Sequence, residues 1–299
     1  MSNESASAER LIPLDLVKLT GLMARTAGRR EVKVALIDGP VAANHPDLAG
    51  ARIRDISRNI SGRCVTSDSF ACMHGTFAAG ILCASRSSPA PAICPGCTLL
   101  VRPIFAESRP RSGTVMPSAA PEVLAAAITG CVDAGAHVLN LSVALAQPSI
   151  RGERELEEAL DYASRRGALV VAAAGSQGAI GSSAITRHPW VIPVIAYDHK
   201  GRPLGLSNLA SSVGRRGLGA PGDDVMSLTV SGSSLTSGGT SVAAPFVTGA
   251  IALLCSEFPR ATANEVRQAV AQPHFRRTTV VPPLLDAWAA FKFLQQPRT

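Results

Sequence analysis

Ser241 lies in Gly239-Thr240-Ser241-Val242-Ala243-Ala244-Pro245, where a turn of small residues delivers a serine onto an apolar segment, Phe246 to Leu254. A serine opening a helix sits beside unpaired backbone N–H groups, at the positive end of the helix dipole. Those groups help a nucleophile that must build negative charge on a neighbouring oxygen. A Gly-Thr-Ser turn is also an ordinary helix cap, so the stretch gains meaning only beside two others. Val34-Ala35-Leu36-Ile37-Asp38-Gly39 is an apolar run ending in a carboxylate and a Gly-Pro turn, which reads as a buried strand. His74-Gly75-Thr76 precedes the small and apolar Phe77 to Leu82, a pattern that suits an interior helix with the histidine at its start. Brought together, His74 would take the proton of Ser241 while Asp38 fixes the imidazole tautomer and stabilises its cation.

These side chains need a frame. Apolar runs near 32–37, 98–101, 137–142, 168–174 and 191–196 alternate with helical patterns near 74–83, 121–134 and 153–166. That alternation predicts an α/β fold, with a mainly parallel central sheet covered by helices on both faces. An acid at a strand end and two helix starts can then converge at one sheet edge. The helix near 153–166 carries Glu153, Glu155, Glu157 and Glu158 early and Arg165-Arg166 late, a polarity that the helix dipole explains without invoking function.

The order Asp38, His74, Ser241, each with its flanking motif, resembles the subtilisin-like serine proteases. The resemblance runs from about Val32 to about Phe293 and extends to Val138-Leu139-Asn140-Leu141-Ser142, Leu169 to Gly175, Ser207-Asn208 and Gly219-Ala220-Pro221-Gly222. It implies the subtilisin-like three-layer fold for residues 31–299, preceded by an N-terminal helical extension over 1–30. It also implies a serine endopeptidase acting through an acyl-enzyme. Asp38-Gly39-Pro40-Val41 departs from the Asp-Thr-Gly or Asp-Ser-Gly usual in secreted members, and Cys94-Pro95-Gly96-Cys97 through Phe105 is distinctive. Both look like the proteases of cyanobactin pathways, which process ribosomally made precursor peptides. The cyclising type there carries a helical pair inserted between acid and histidine. Only 36 positions (74 − 38) separate those residues here, so the match is to the leader-removing type.

By the same resemblance, Ser142, Val143, Ala144, Ala173, Ala174 and Gly175 line the substrate pocket, where a peptide strand would pair with the backbone. The family usually places an asparagine after Ala-Ala-Gly as an oxyanion donor, and its loss in subtilisin costs about 2.7–4 kcal/mol. Here Ser176 stands in that place, followed by Gln177. The oxyanion hole is therefore expected to comprise Ser176 and the Ser241 backbone N–H, with Gln177 as another way to supply a donor. A slow enzyme, or a peptide-binding pseudoprotease, is a further outcome.

No cofactor or metal is expected. His45-Pro46-Asp47-Leu48 resembles a stretch whose aspartate binds calcium in secreted members. The partner loop, Ala84-Ser85-Arg86-Ser87-Ser88-Pro89, has an arginine and no Asn or Asp, whereas calcium wants six or more oxygens. Seven cysteines (64, 72, 83, 94, 97, 131 and 255) cannot all pair internally. Cys94 and Cys97 allow a local disulfide, and Cys72 lies near enough to His74 for its oxidation to disturb the site. Cys83 and Cys255 read as small buried apolar residues.

The chain has 299 residues, 46% of them hydrophobic, enough for one large core. The net charge of +7 and the arginines of the 106–120 loop (Arg109 and Arg111, with Pro110 and Pro117) suit an acidic peptide segment or simple solubility. Aromatics make up 4% and do not interleave with basic runs, which argues against nucleic acid. Met1 to Arg10 lacks the pattern of a secretory signal, and no apolar run is long enough for a membrane span. Cytoplasmic localisation is the resulting expectation. Ile12, Leu16, Leu19 and Met23 fall at helical spacing, predicting one amphipathic helix packed on the domain. A general degradative protease is the alternative to a leader-removing one, and oligomeric state is not legible.

Overall fold

The apolar runs pair side by side and in one direction. In the computed structural model, which describes residues 13–57, 62–66, 69–107, 119–143, 153–271 and 278–296, seven strands form one sheet. They are β1 (Lys33–Asp38), β2 (Arg52–Asp55), β3 (Thr98–Pro103), β4 (Val138–Leu141), β5 (Leu169–Ala173), β6 (Val191–Tyr197) and β7 (Leu218–Pro221). Their order is β2-β3-β1-β4-β5-β6-β7, and each pairing is parallel. Every residue of β4, β5 and β6 is buried, the continuous apolar pattern of a sheet with both faces covered. The edge strand β2 reads Arg-Ile-Arg-Asp and is largely exposed, charges that discourage pairing with another sheet edge.

The crossovers supply the cover. α1 (Leu19–Arg25), α2 (Phe70–Cys83), α3 (Pro121–Asp133), α4 (Glu153–Arg165), α5 (Ala184–Arg187), α6 (Ser211–Arg216), α7 (Thr240–Glu257), α8 (Ala263–Ala271) and α9 (Ala287–Gln295) complete the helices of the described residues. α7 crosses β4 to β7 with α2 beside it, while α3 packs on β1 and β3, and α4 on α3 and β5. An antiparallel hairpin, β8 (Val225–Leu228) and β9 (Ser234–Ser237), precedes α7. α7 is the one described helix long and apolar enough to cross a membrane, and 83% of it is buried in the protein. Phe246 within it is fully buried, and truncating such a side chain to alanine costs about 3–5 kcal/mol.

Two boundaries differ from the sequence reading. Residues 13–16 and α1 are separate helical pieces, because Lys18 adopts a left-handed conformation (φ 53°) between them. That break turns Leu14, Val17, Leu19, Leu22 and Met23 into the main core, a set that one straight helix would not present; Ile12 falls outside the described residues. Second, α2 begins at Phe70, so His74 stands in its second turn and not at its start. Residues 70–73, which carry no charge to mark a first turn, extend the helix ahead of His74.

Candidate active site

β1 ends at Asp38, and the Gly39 that follows lies against α2. A Cβ on Gly39 would lie 2.0 Å from the Ala71 carbonyl oxygen, and one on Gly75 would lie 2.4 Å from that of Gly39. Two glycines facing each other let strand end and helix touch backbone to backbone, which places the carboxylate beside the imidazole. Asp38 is fully buried. Its Oδ1 accepts hydrogen bonds from the Gly39 N–H (2.6 Å) and from His74 Nδ1 (2.7 Å). Oδ2 is buried and accepts nothing from a described residue. The Phe70 ring, one turn earlier on α2, stacks on the imidazole at 6.1 Å. Burial pulls the His74 pKa down, but the charge and hydrogen bond of Asp38 outweigh it and hold the imidazole above its ordinary value. Nε2 of His74, on the far side of the ring, reaches Ser241 Oγ at 3.1 Å.

Ser241 is the second residue of α7, so its N–H belongs to the first turn, where no preceding helical carbonyl is in place to accept it. Gly239 caps the helix with φ 118°, a conformation that favours glycine. Pro245 sits four residues after Ser241 inside the helix. Lacking an N–H, it cannot donate to the Ser241 carbonyl, and that oxygen instead accepts from Ser142 Oγ at 3.4 Å. Ser142 Oγ accepts in turn from Asn140 Nδ2 (2.6 Å), and Asn140 Oδ1 accepts from Thr248 Oγ1 (2.8 Å). This chain of contacts ties the Ser241 turn to β4. Asn140, fully buried, is a site residue that sequence reasoning passed over; a lone asparagine inside an apolar strand was the available signal.

The corner around Ser176, the expected oxyanion donor, is built from hydroxyls. The Thr240 N–H donates to Ser176 Oγ (3.1 Å), and the two hydroxyl oxygens lie 3.1 Å apart. Thr240 Oγ1 also accepts from the Gly175 N–H at 3.1 Å. With the Thr240 hydroxyl donating to Ser176, both lone pairs of Ser176 Oγ are taken and its own proton is free to point into the cleft. A Cβ at Gly239 would fall 3.3 Å from Ser176 Oγ and 4.0 Å from Ser241 Oγ, so that glycine keeps a small recess open between the two. Gln177 does not swing in. Its Oε1 accepts from Asn208 Nδ2 (2.7 Å), while Asn208 Oδ1 accepts from the N–H groups of Gln177 and Ala179.

The expected pocket residues divide. Ser142 touches Ser241 through its hydrogen bond, while Val143, next in the chain, is partly buried against the main core. Ala173 and Gly175 lead into the Ser176 turn, Ala173 buried in β5. Ala174 instead turns into a small core with Ile195, Tyr197, Ala210 and Val213, and its N–H donates to Val194, so its side chain does not line an open pocket. Ala144 and residues 108–118 of the basic loop lie outside the described residues.

A calcium ion fits poorly. The Asp47 carbonyl accepts from the Ser85 N–H at 2.7 Å. Arg86 donates to the carbonyl oxygens of Met23 (2.6 Å), Thr26 (2.8 Å) and Ile93 (3.2 Å). A side-chain cation already gathers the oxygens there, and a second cation would be repelled. Among the cysteines, Cys94 and Cys97 are buried and free, while Cys64 and Cys72 are bridged. The bridge is eight residues apart and had no motif to announce it. Cys72 is oxidised with the Asp38–His74–Ser241 contacts intact, contrary to the expected disturbance. Cys83 is buried, and Cys255 is only partly so.

Residues 29–277 match the subtilase family model, Peptidase S8. The chain belongs to the subtilase family. This subtilase is 30% identical over 263 residues to subtilisin DY of Bacillus licheniformis, covering 86% of this chain and 89% of the relative. A variant of the PatA protease domain superposes with a TM-score of 0.79 at 32% identity, over 90% of this subtilase and 96% of that chain. The prenylagaramide maturation protease PagA superposes at 0.80 with 26% identity, over 92% and 98%. The seven-stranded parallel sheet flanked by helices is the subtilisin-like fold, and the subtilase is a serine endopeptidase acting on peptides.

Proposed function

We propose that Ser241, His74 and Asp38 are the catalytic triad of this protease, and that its substrate is the leader of a ribosomally made precursor peptide. The observation that carries the triad is the continuous contact from Ser241 Oγ to His74 Nε2 (3.1 Å) and from Nδ1 to buried Asp38 (2.7 Å). Ser241 Oγ attacks the scissile carbonyl as its proton passes to Nε2, and Asp38 holds the resulting imidazolium. The new oxyanion takes hydrogen bonds from the Ser241 N–H and the Ser176 hydroxyl. His74 then returns the proton to the departing amine, and a water activated by the same imidazole hydrolyses the ester.

One observation favours precursor processing over general digestion, and a second favours leader removal over cyclisation. The solved structures similar to this chain include the patellamide maturation protease PatA at 32% identity and PagA at 26%. Between Asp38 and α2 the described residues hold one short turn, Pro46–Leu48, and the four-residue β2, with no helical pair of the cyclising kind. The test is a panel of leader-bearing precursor peptides beside casein, read by mass spectrometry. One cut at a leader–core junction with casein left whole is expected; unselective casein digestion would overturn the leader assignment. Separately, a fluorophosphonate probe should label wild type, and Ser241→Ala should lose labelling and about 10⁶-fold in turnover. Failure of folded wild type to label would sink the triad and favour the pseudoprotease reading.

A further inference from the structure

Beside the triad, on the other flank of α2, lies a second group with chemistry of its own. Cys64 Sγ, Cys72 Sγ and a Glu107 carboxylate oxygen all fall within 4.8 Å of one another. Residues two apart on a helix face different ways, whereas residues four apart share a face. Cys72 therefore turns away from His74 and stands with Thr76, whose hydroxyl lies 4.0 Å from Cys64 Sγ and accepts from the Ala42 N–H. The carboxylate is pre-oriented: one Glu107 oxygen accepts from the Val65 N–H and the other from the Thr66 N–H, each at 2.7 Å. Each oxygen keeps a second lone pair for another partner.

Cys72 Sγ touches two partners. It bridges to Cys64, and it stands 3.2 Å from Glu107 Oε1 in the position of a thiol donor. A bridged sulfur has no proton to give, so only reduction of the bridge would let Cys72 donate to Glu107 across that contact. In the reduced form two thiols and a carboxylate converge from three separate points of the chain. We propose that the reduced Cys64–Cys72 pair and Glu107 form a binding site for a soft divalent cation, Zn²⁺. Thiolate and carboxylate oxygen are both ordinary zinc ligands, and three protein ligands with a water complete a tetrahedron. Binding displaces the two thiol protons and needs no electron transfer. The bridged form lacks the two thiolates and binds nothing.

The site would act on the segment around the acid and not on the imidazole itself. Residues 62–64 hydrogen-bond to Val41, three residues beyond Asp38, through Val41 N–H to Gly62 and Cys64 N–H to Val41. A metal joining Cys64 to Cys72 would tie that segment to the helix carrying His74. This inference does not depend on the substrate or on the triad assignment.

The experiment is Co²⁺ titration of the full chain after phosphine reduction, read by the sulfur-to-cobalt charge-transfer absorption, with Zn²⁺ as displacing competitor. One Co²⁺ per chain with a strong band is expected, absent from the protein oxidised to the Cys64–Cys72 bridge as verified by peptide mapping. Cys64→Ser and Cys72→Ser should each abolish the band, and Glu107→Gln should weaken binding by about tenfold or more. Circular dichroism and the urea midpoint report whether each variant is folded. Should the serine variants misfold, the oxidised wild type serves as the thiolate-free control. A missing band in reduced wild type, or a band surviving oxidation or the loss of both cysteines, would overturn the site. So would unchanged affinity in Glu107→Gln.

Discussion

The two ends of the proposed catalytic centre are built on different principles. At the acid–imidazole end, a buried carboxylate at the tip of β1 and a histidine within α2 are held by backbone contact at Gly39 and Gly75. Position there follows from packing. At the oxyanion end, Ser176 and Gln177 are exposed, and position depends on hydrogen bonds from Thr240 and Asn208. Packed backbone tolerates little variation, whereas a hydrogen-bonded turn admits another donor. That contrast accounts for a family-like triad beside an oxyanion residue that departs from the family.

The comparison can be tested from its strongest point downward. Asp38→Asn should cost about 10⁴-fold in turnover, because the imidazole loses its tautomer and its counter-charge. In wild type the active form is neutral His74, and Asp38 raises its pKa. Activity should therefore rise with pH along a limb displaced above that of an ordinary histidine, and any residual activity of Asp38→Asn should show that limb moved to lower pH. A pH profile of kcat/KM checks both, and an unmoved limb would contradict the assigned pairing.

Gly75→Ala comes next. Its Cβ would meet the Gly39 and Pro40 carbonyl oxygens at 2.4 and 2.5 Å, and overpacking of this kind costs about 1–3 kcal/mol. A displacement of about 1 Å in the acid–imidazole geometry would cost about 10²-fold in turnover, so both the urea midpoint and kcat should fall. At the opposite end, Ser176→Ala should lower kcat by about 10²-fold with KM little changed, the signature of a donor used only in the transition state. Ser176→Asn keeps a donor and should recover most of the rate. Equal turnover in Ser176→Ala would show the Ser241 N–H working without it.

The smallest effect lies outside the site. Arg86→Ala removes a guanidinium shared by three carbonyl oxygens and should cost about 2 kcal/mol of stability, in the range of hydrogen bonds to charged groups. Its kcat should match wild type, and a chelator should not shift the urea midpoint of either protein. A chelator-sensitive midpoint in the wild type would contradict the reading of Arg86 as the resident cation.

Legibility in the sequence follows the same division. The apolar runs of β1, β4, β5 and β6 were readable within a residue or two, because a strand buried on both faces must be apolar throughout. Asp38, His74 and Ser241 were readable because each sits in a motif whose small neighbours serve packing. The edge strand β2 and the hairpin of β8 and β9 were missed, since charged or serine-rich segments carry no such pattern. Thr240, Asn140 and Asn208 act through side-chain hydrogen bonds between distant segments, and neither spacing nor composition encodes those partners. The Cys64–Cys72 bridge is similar: what brings the sulfurs together is the path of the loop before α2, not their separation of eight in sequence.

Pro245 carries a practical lesson for anyone redesigning this protease. By denying the Ser241 carbonyl its usual partner along the helix, it hands that oxygen to Ser142, at the wall where substrate would lie. Cleft shape and nucleophile placement are thereby mechanically coupled. Edits at Ser142 or Asn140 meant to alter sequence preference will also disturb chemical competence, so selectivity is better re-engineered from surfaces that do not touch this link.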